Sequence, residues 1–453
     1  MTILQARCAA SAGVLALGTV VPAFAQDWPH WRGPHFNGST QAKNLPVEFD
    51  RQKNVLWAAD LPGPAAGTPI IQGERVFVTS TSPEEGLLLA LCFDRKNGAL
   101  LWRKEIGSGY QPGGAGTKIG LDERTNYASP SPVTDGERVV FFYGNGDLVA
   151  LDFDGNELWS RNLQEDFGDF CFQWTFSTSP TLWEDHLFLQ VLQRDEPVHD
   201  RGKQGATSFL LAIDPESGKT IFQHERATPA KVESRESYAT PIPHVGADGR
   251  KQLLIAGGDI VTAHDPGKGG ELWRWGTWNE DHREAWWRLV PSPVVGGEVV
   301  LLCAPKRAPA YAVRLAATAT ASSSENVLAW KSEGRPNNVS SDVPTPLFHQ
   351  DRFYVLSDVR ETLSCVEPAD GKIVWSIPLS RDYLWRASPT GADGKLWCMN
   401  HHGDVLVVSA DDGKVVHQAA MGEEDDDGIC STIAVAHDHL FIRTNRKLYC
   451  VGK

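Results

Sequence analysis

Six segments of the 453-residue chain gather arginines, aromatics and polar groups of the kind that contact ligands: Arg124, Asn126 and Tyr127; Trp174; Arg235 and Tyr238; Trp287 and Arg288; Asp342; Trp385 and Arg386. Aromatic rings offer rigid contact area, and guanidinium groups offer planar donors that match carboxylates. Such a set suits a peptide, a polysaccharide or a carboxylated ligand. The same side chains could instead fill a channel by pairing with one another, as Arg288 could with Asp342. If they bind a ligand, Arg288→Ala and Trp385→Ala should abolish capture with little loss of stability.

Other clusters carry less chemistry. His401 and His402 are adjacent, and neighbouring side chains on a strand point to opposite faces, which disfavours a joint metal site. The run Glu423 to Asp427 lacks the alternating ligand spacing of a calcium loop and reads as a solvated connection. Asp281, His282, Arg283 and Glu284 read as surface ion pairs. The sequence contains no Walker loop, zincin helix or Gly-x-Ser-x-Gly elbow. No catalytic residue and no metal ligand are assigned.

The elements that must position these loops are set by a repeat. An acid is followed four positions later by Gly and four beyond that by an aromatic: Asp94, Gly98, Trp102; Asp214, Gly218, Phe222; Asp265, Gly269, Trp273; Glu367, Gly371, Trp375. Asp152, Gly155, Trp159 has a turn one residue shorter, and Ser409, Gly413, His417 is a degenerate copy. Two positions before the acid stands a small or β-branched residue, twice a cysteine (Cys92, Cys365), and in the last copy Cys450 takes that slot. A second signature, Ser/Thr-Pro followed by an apolar strand, precedes each copy at Pro69, Pro132, Pro180, Pro241, Pro293, Pro346 and Pro389, with Ile433 in the eighth.

Each unit predicts a four-stranded antiparallel blade, strands A to D, with the acid and Gly shaping the C-to-D turn. Trp57, Trp102, Trp159, Trp273, Trp330 and Trp375 occupy the D-strand position, where an indole can fill the gap that widens between blades away from the axis. The last unit lacks a D strand, and Asn54-Val55-Leu56-Trp57 is a D strand with nothing before it. The expected fold is therefore all-β: an eight-bladed propeller closed by an N-terminal strand that completes the last blade. In blade five the turn expands over Leu315 to Asn326, which is read as a solvent loop. D-to-A loops converge around the axis on one face, and these carry the candidate ligand residues.

Composition sets the class of partner. Asp and Glu number 57 against 43 Lys and Arg, a net charge of −14 that argues against nucleic acid and anionic membrane surfaces. Residues 1–25 read as a secretory signal peptide, with Arg7, an apolar run and the Ala23-Phe24-Ala25 triplet before Gln26. The propeller domain is then 26–453, exported to the periplasm or beyond the cell. No later run is long enough for a membrane span. The seven cysteines after the leader are unclustered and read as small core residues.

The repeated acid-x-x-x-Gly-x-x-x-Trp, with a small residue two before the acid, resembles the tryptophan-docking motif of pyrroloquinoline-quinone (PQQ)-like propellers. The resemblance covers residues 28–453. One branch holds quinoprotein alcohol and sugar dehydrogenases. The other includes the propeller lipoprotein of the outer-membrane β-barrel assembly machinery, whose exported relatives the opening Trp28-Pro29-x-Trp31-Arg32-Gly33-Pro34 resembles. The resemblance implies either a non-catalytic binding or scaffolding module for an envelope or extracellular protein, peptide or glycan, or a dehydrogenase using PQQ with Ca²⁺. Those enzymes hold the quinone between a Trp floor and a vicinal disulfide, and no two cysteines here are adjacent. The first reading is preferred, with no cofactor expected.

Overall fold

The computed structural model describes residues 27–109, 126–276, 278–315 and 327–453. The leader at 1–25, Arg124 and most of the blade-five insertion lie outside the described residues. Eight four-stranded antiparallel sheets make up the fold. Blade one runs Ile70–Gln72, Arg75–Ser82, Leu87–Asp94 and Leu100–Ser108, and each later blade repeats this order. Blade eight takes Ala434–Ala436, His439–Arg443 and Lys447–Val451 from the C-terminus and Val55–Asp60 from the N-terminus as its outer strand. The ring is closed by that pairing, as the repeat requires.

Register explains the small residue of the motif. Cys92 pairs with Trp102, Ala150 with Trp159, Ala212 with Phe222, Ala263 with Trp273, Ala312 with Trp330, Cys365 with Trp375 and Cys450 with Trp57. A bulge follows within a residue or two in each of these pairings, where the turn begins. The acid organises that turn: Asp94 Oδ1 accepts the amides of Lys96 and Asn97, and Asp214 and Asp265 do the same.

Five of the six D-strand indoles hydrogen-bond to the neighbouring blade. Trp57, Trp102, Trp159, Trp330 and Trp375 donate Nε1–H to the carbonyls of Arg95, Phe153, Pro215, Pro368 and Ala410, at 2.7–3.1 Å. The ring lies flat on the motif glycine: a Cβ on Gly98 would come within 2.5 Å of Trp57, and one on Gly218 within 2.6 Å of Trp159. Glycine is thus required twice, for its positive φ and for the absence of a side chain. Trp273 faces blade five, whose turn departs from the motif, and bonds Gln252 Oε1 of its own blade instead.

Candidate functional site: a cup at the axis

The Ser/Thr-Pro signature marks where the blades meet around the channel. The backbone N–H of Thr68 donates to Ser131 Oγ (2.8 Å), that of Ser131 to Ser179 Oγ (3.0 Å), and that of Ser179 to Thr240 Oγ1 (3.2 Å). The series continues from Thr240 to Ser292, Ser292 to Thr345, Thr345 to Ser388 and Thr432 to Thr68. At seven of the eight blade junctions an amide of one blade is therefore satisfied by the hydroxyl of the next, in a place where an unpaired amide would be costly. The proline that follows presents no N–H.

One end of the channel is crossed by residues 28–40. Trp28 exchanges two backbone hydrogen bonds with Ile71 (2.9 Å each), and the Pro29 carbonyl accepts from Thr134. The segment then reaches blades six and seven, where Asn37 O accepts from Phe348 N and Gly391 bonds both Gly38 and Thr40. Arg32, fully buried, donates to the carbonyls of Pro346 (2.9 Å) and Pro389 (3.2 Å). Burial pushes its guanidinium down to about 9, so it remains charged at neutral pH.

Above this floor lies a cavity of about 210 Å³ that includes Trp31, Trp174, Tyr238, Arg288, Arg386 and Cys430 among its lining, together with Ser/Thr hydroxyls of the ring. The cup opens toward the D-to-A loops. Its charged groups are mutually engaged. Arg288 binds Asp342 through two parallel bonds of 2.9 and 3.0 Å, and Asp342 also accepts the Lys306 amide. Burial alone would raise the Asp342 carboxyl, but the hydrogen bonds and charge of Arg288 outweigh it and hold it below its ordinary value. Arg386 Nε lies 3.6 Å from Asp358, which accepts the Asp342 amide. Behind Tyr238, Glu236 accepts the phenol at 2.6 Å, the Gln173 amide at 3.0 Å and a short bond from Arg194. Burial pushes the Glu236 carboxyl up to about 7 against the opposing pull of Arg194.

The structure thus brings four of the sequence-derived residues together: Trp174, Tyr238, Arg288 and Arg386 line the cup, and Asp342 backs Arg288. The others lie apart. Asn126 is buried, bonding the Pro64 carbonyl and the Ala128 amide; Tyr127 is half-buried nearby. Arg235 pairs with Asp195 at 3.3 Å, and Trp287 packs against the cluster between blades four and five. Trp385 is almost wholly buried and donates to Ser380 O. Trp31, Cys430 and Asp358 were not singled out as site residues. Cys430 Sγ sits 3.5 Å from His401 Nε2, while His402 stacks on Tyr383, so the two histidines do point apart. Only the position of Thr432 in the Ser/Thr-Pro series could have flagged Cys430.

The lining does not fit PQQ with Ca²⁺. No pair of cysteines is placed to form a lid, Asp342 and Asp358 are taken by arginines and amides, and among the described residues no group of three or more His, Cys, Asp or Glu could hold a metal ion.

Comparison with known proteins agrees with the architecture. A curated relative, polyvinylalcohol dehydrogenase from Pseudomonas sp, is 27% identical over 173 residues, which cover 37% of this chain and only 24% of that protein. A europium-containing methanol dehydrogenase superposes with a TM-score of 0.68 at 11% identity, covering 95% of this chain and 98% of its own. BamB from Moraxella catarrhalis gives 0.57 at 14% identity, covering 87% and 96%. Quinohemoprotein alcohol dehydrogenase from Comamonas testosteroni gives 0.63 at 12%, covering 96% and 82%. At these identities the likeness is one of fold. Residues 39–169, 90–340 and 318–451 match the PQQ_2 family, described as outer membrane protein assembly factor BamB. The chain belongs to that family, and its propeller fold is shared with BamB and with the quinoprotein dehydrogenases.

Proposed function

We propose that this chain is an exported, non-catalytic propeller that binds a protein partner in the cell envelope, with the D-to-A face and its cup as the contact surface. The carrying observation is the pairing of Arg288 with Asp342 beside Arg386 and Asp358. It leaves the cup with rigid aromatic area and hydroxyls but with its carboxylates already engaged, which favours recognition over acid-base work. The family description as an assembly factor supports a protein as the partner, and the leader-like residues 1–25 support export. A peptide or glycan would use the same face.

The geometry changes which variants test this reading. Arg288→Ala would strand a largely buried Asp342, and Trp385→Ala would open a cavity; either costs about 3–5 kcal/mol. Trp174→Ala and Trp31→Ala, both half-buried in the cup lining, are cleaner probes. Capture of one defined envelope protein by the wild type, lost in both variants at unchanged melting temperature, is the expected outcome of a pull-down. Capture that survives both would remove the cup from the interface. The polyvinylalcohol dehydrogenase relative favours a second reading, a PQQ-dependent alcohol dehydrogenase. Dye reduction with PQQ, Ca²⁺ and an alcohol would establish it in place of the first.

A further inference from the structure

A second groove opens on the same face, outside the cup. Its volume is about 450 Å³, and it shares no lining residue with the cup. Arg307 reaches it from the B-to-C turn of blade five, Lys331 and Arg335 from the end of that blade's D strand and the loop beyond, and Arg360 from the B-to-C turn of blade six. Among the described residues none of these four cations has a carboxylate at ion-pair distance. The neighbouring acids Asp342 and Asp358 are held by Arg288 and Arg386. The Arg360 Nε is buried with no hydrogen-bond partner. Among the described residues Glu333 is the only acid in the lining, and it is exposed.

Four like charges held together repel one another, and here they do so on a chain whose net charge is −14. A local concentration of cation against the overall charge is the complement of an anionic partner. The four come from three separate loops of two blades, spread along a groove whose sides include Pro309 and Pro336. A succession of carboxylates fits that spread better than one small anion does, and guanidinium groups take carboxylates in paired bonds. We propose that this groove captures a short, extended acidic segment of a partner protein, its Asp and Glu side chains pairing with Arg307, Lys331, Arg335 and Arg360. The groove stands independently of the cup, and its occupancy does not require that the cup bind anything.

The test uses the full chain and fluorescence anisotropy with labelled hexaglutamate, with hexaglutamine and phosphatidylglycerol vesicles as parallel arms. Saturable binding of hexaglutamate alone is expected, weakening severalfold between about 50 and about 300 mM salt as the charges are screened. R307Q/R335Q changes two exposed residues and should weaken binding roughly tenfold or more, at about 1.4 kcal/mol per tenfold. R51Q/R250Q removes the same charge from the opposite face and should leave binding within about twofold. E333Q should strengthen it, a sign that loss of folding cannot imitate. The proposal is overturned if hexaglutamine binds equally, if R51Q/R250Q matches R307Q/R335Q, if E333Q weakens binding, or if vesicles bind through the groove and the peptide does not.

Discussion

Three histidines show how single residues set the acid limit of this fold. Burial pushes the His30 imidazole down to about 3 and those of His264 and His349 to about 4. In the unfolded chain each titrates near ~6.5, so below that pH the unfolded state takes up protons the folded state refuses. The histidines' contribution is complete above pH ~6.5 and is lost as the pH falls toward ~4, at up to about 1.4 kcal/mol per unit for each. Urea unfolding at pH 7 and pH ~4.5 should show a smaller loss in His349→Gln than in the wild type; an equal loss would mean that His349 is solvated when folded. Site residues were only partly legible at this scale. Side-chain type placed Trp174, Tyr238, Arg288 and Arg386 at the cup because D-to-A loops lead there. The same rule swept in Trp385, whose ring turns into the core between blades, since sequence does not show which way a loop side chain faces.

At the scale of elements, the acid-Gly-Trp repeat specifies contacts between blades as well as within them. The period made blade and strand order readable, and the turn chemistry accounted for the acid. It did not reveal that the motif glycine bears the previous blade's aromatic ring, an indole on Gly98, Gly155, Gly218, Gly371 and Gly413 and Phe222 on Gly269, because that contact joins residues of different copies. A double-mutant cycle isolates the contact. Trp159→Ala should cost about 3–5 kcal/mol as a cavity. Gly218→Ala should cost about 2 kcal/mol or more, combining a φ of +69° with the clash against the ring. With the indole gone only the backbone penalty of ~1 kcal/mol should remain, so the pair should cost less than the sum. Additive costs in denaturant titrations would place the indole elsewhere. The Ser/Thr-Pro signature was equally visible, yet its reason, an amide of one blade satisfied by the hydroxyl of the next, appears only once the blades stand around an axis.

At the scale of the whole molecule, Val55–Asp60 covers the edge that Lys447–Val451 would otherwise leave bare, so that the last blade has four strands like the others and the ring is closed through both ends of the chain. One face carries the C-to-D turns; the other carries the cup and the basic groove. The number of blades and the closure followed from counting copies. The floor of the cup did not, because residues 28–40 have no repeat to be aligned with and their partners lie hundreds of positions away, as Arg32 with Pro346 and Pro389. No described helix is long and apolar enough to cross a membrane. That one face serves as the docking surface can be measured by placing a photo-crosslinking amino acid at Trp174, in the cup, and at Lys96, on a C-to-D turn, and irradiating the protein in its own envelope. The account predicts a discrete protein adduct from position 174 and none from position 96; adducts from both positions alike, or from position 96 alone, would contradict it.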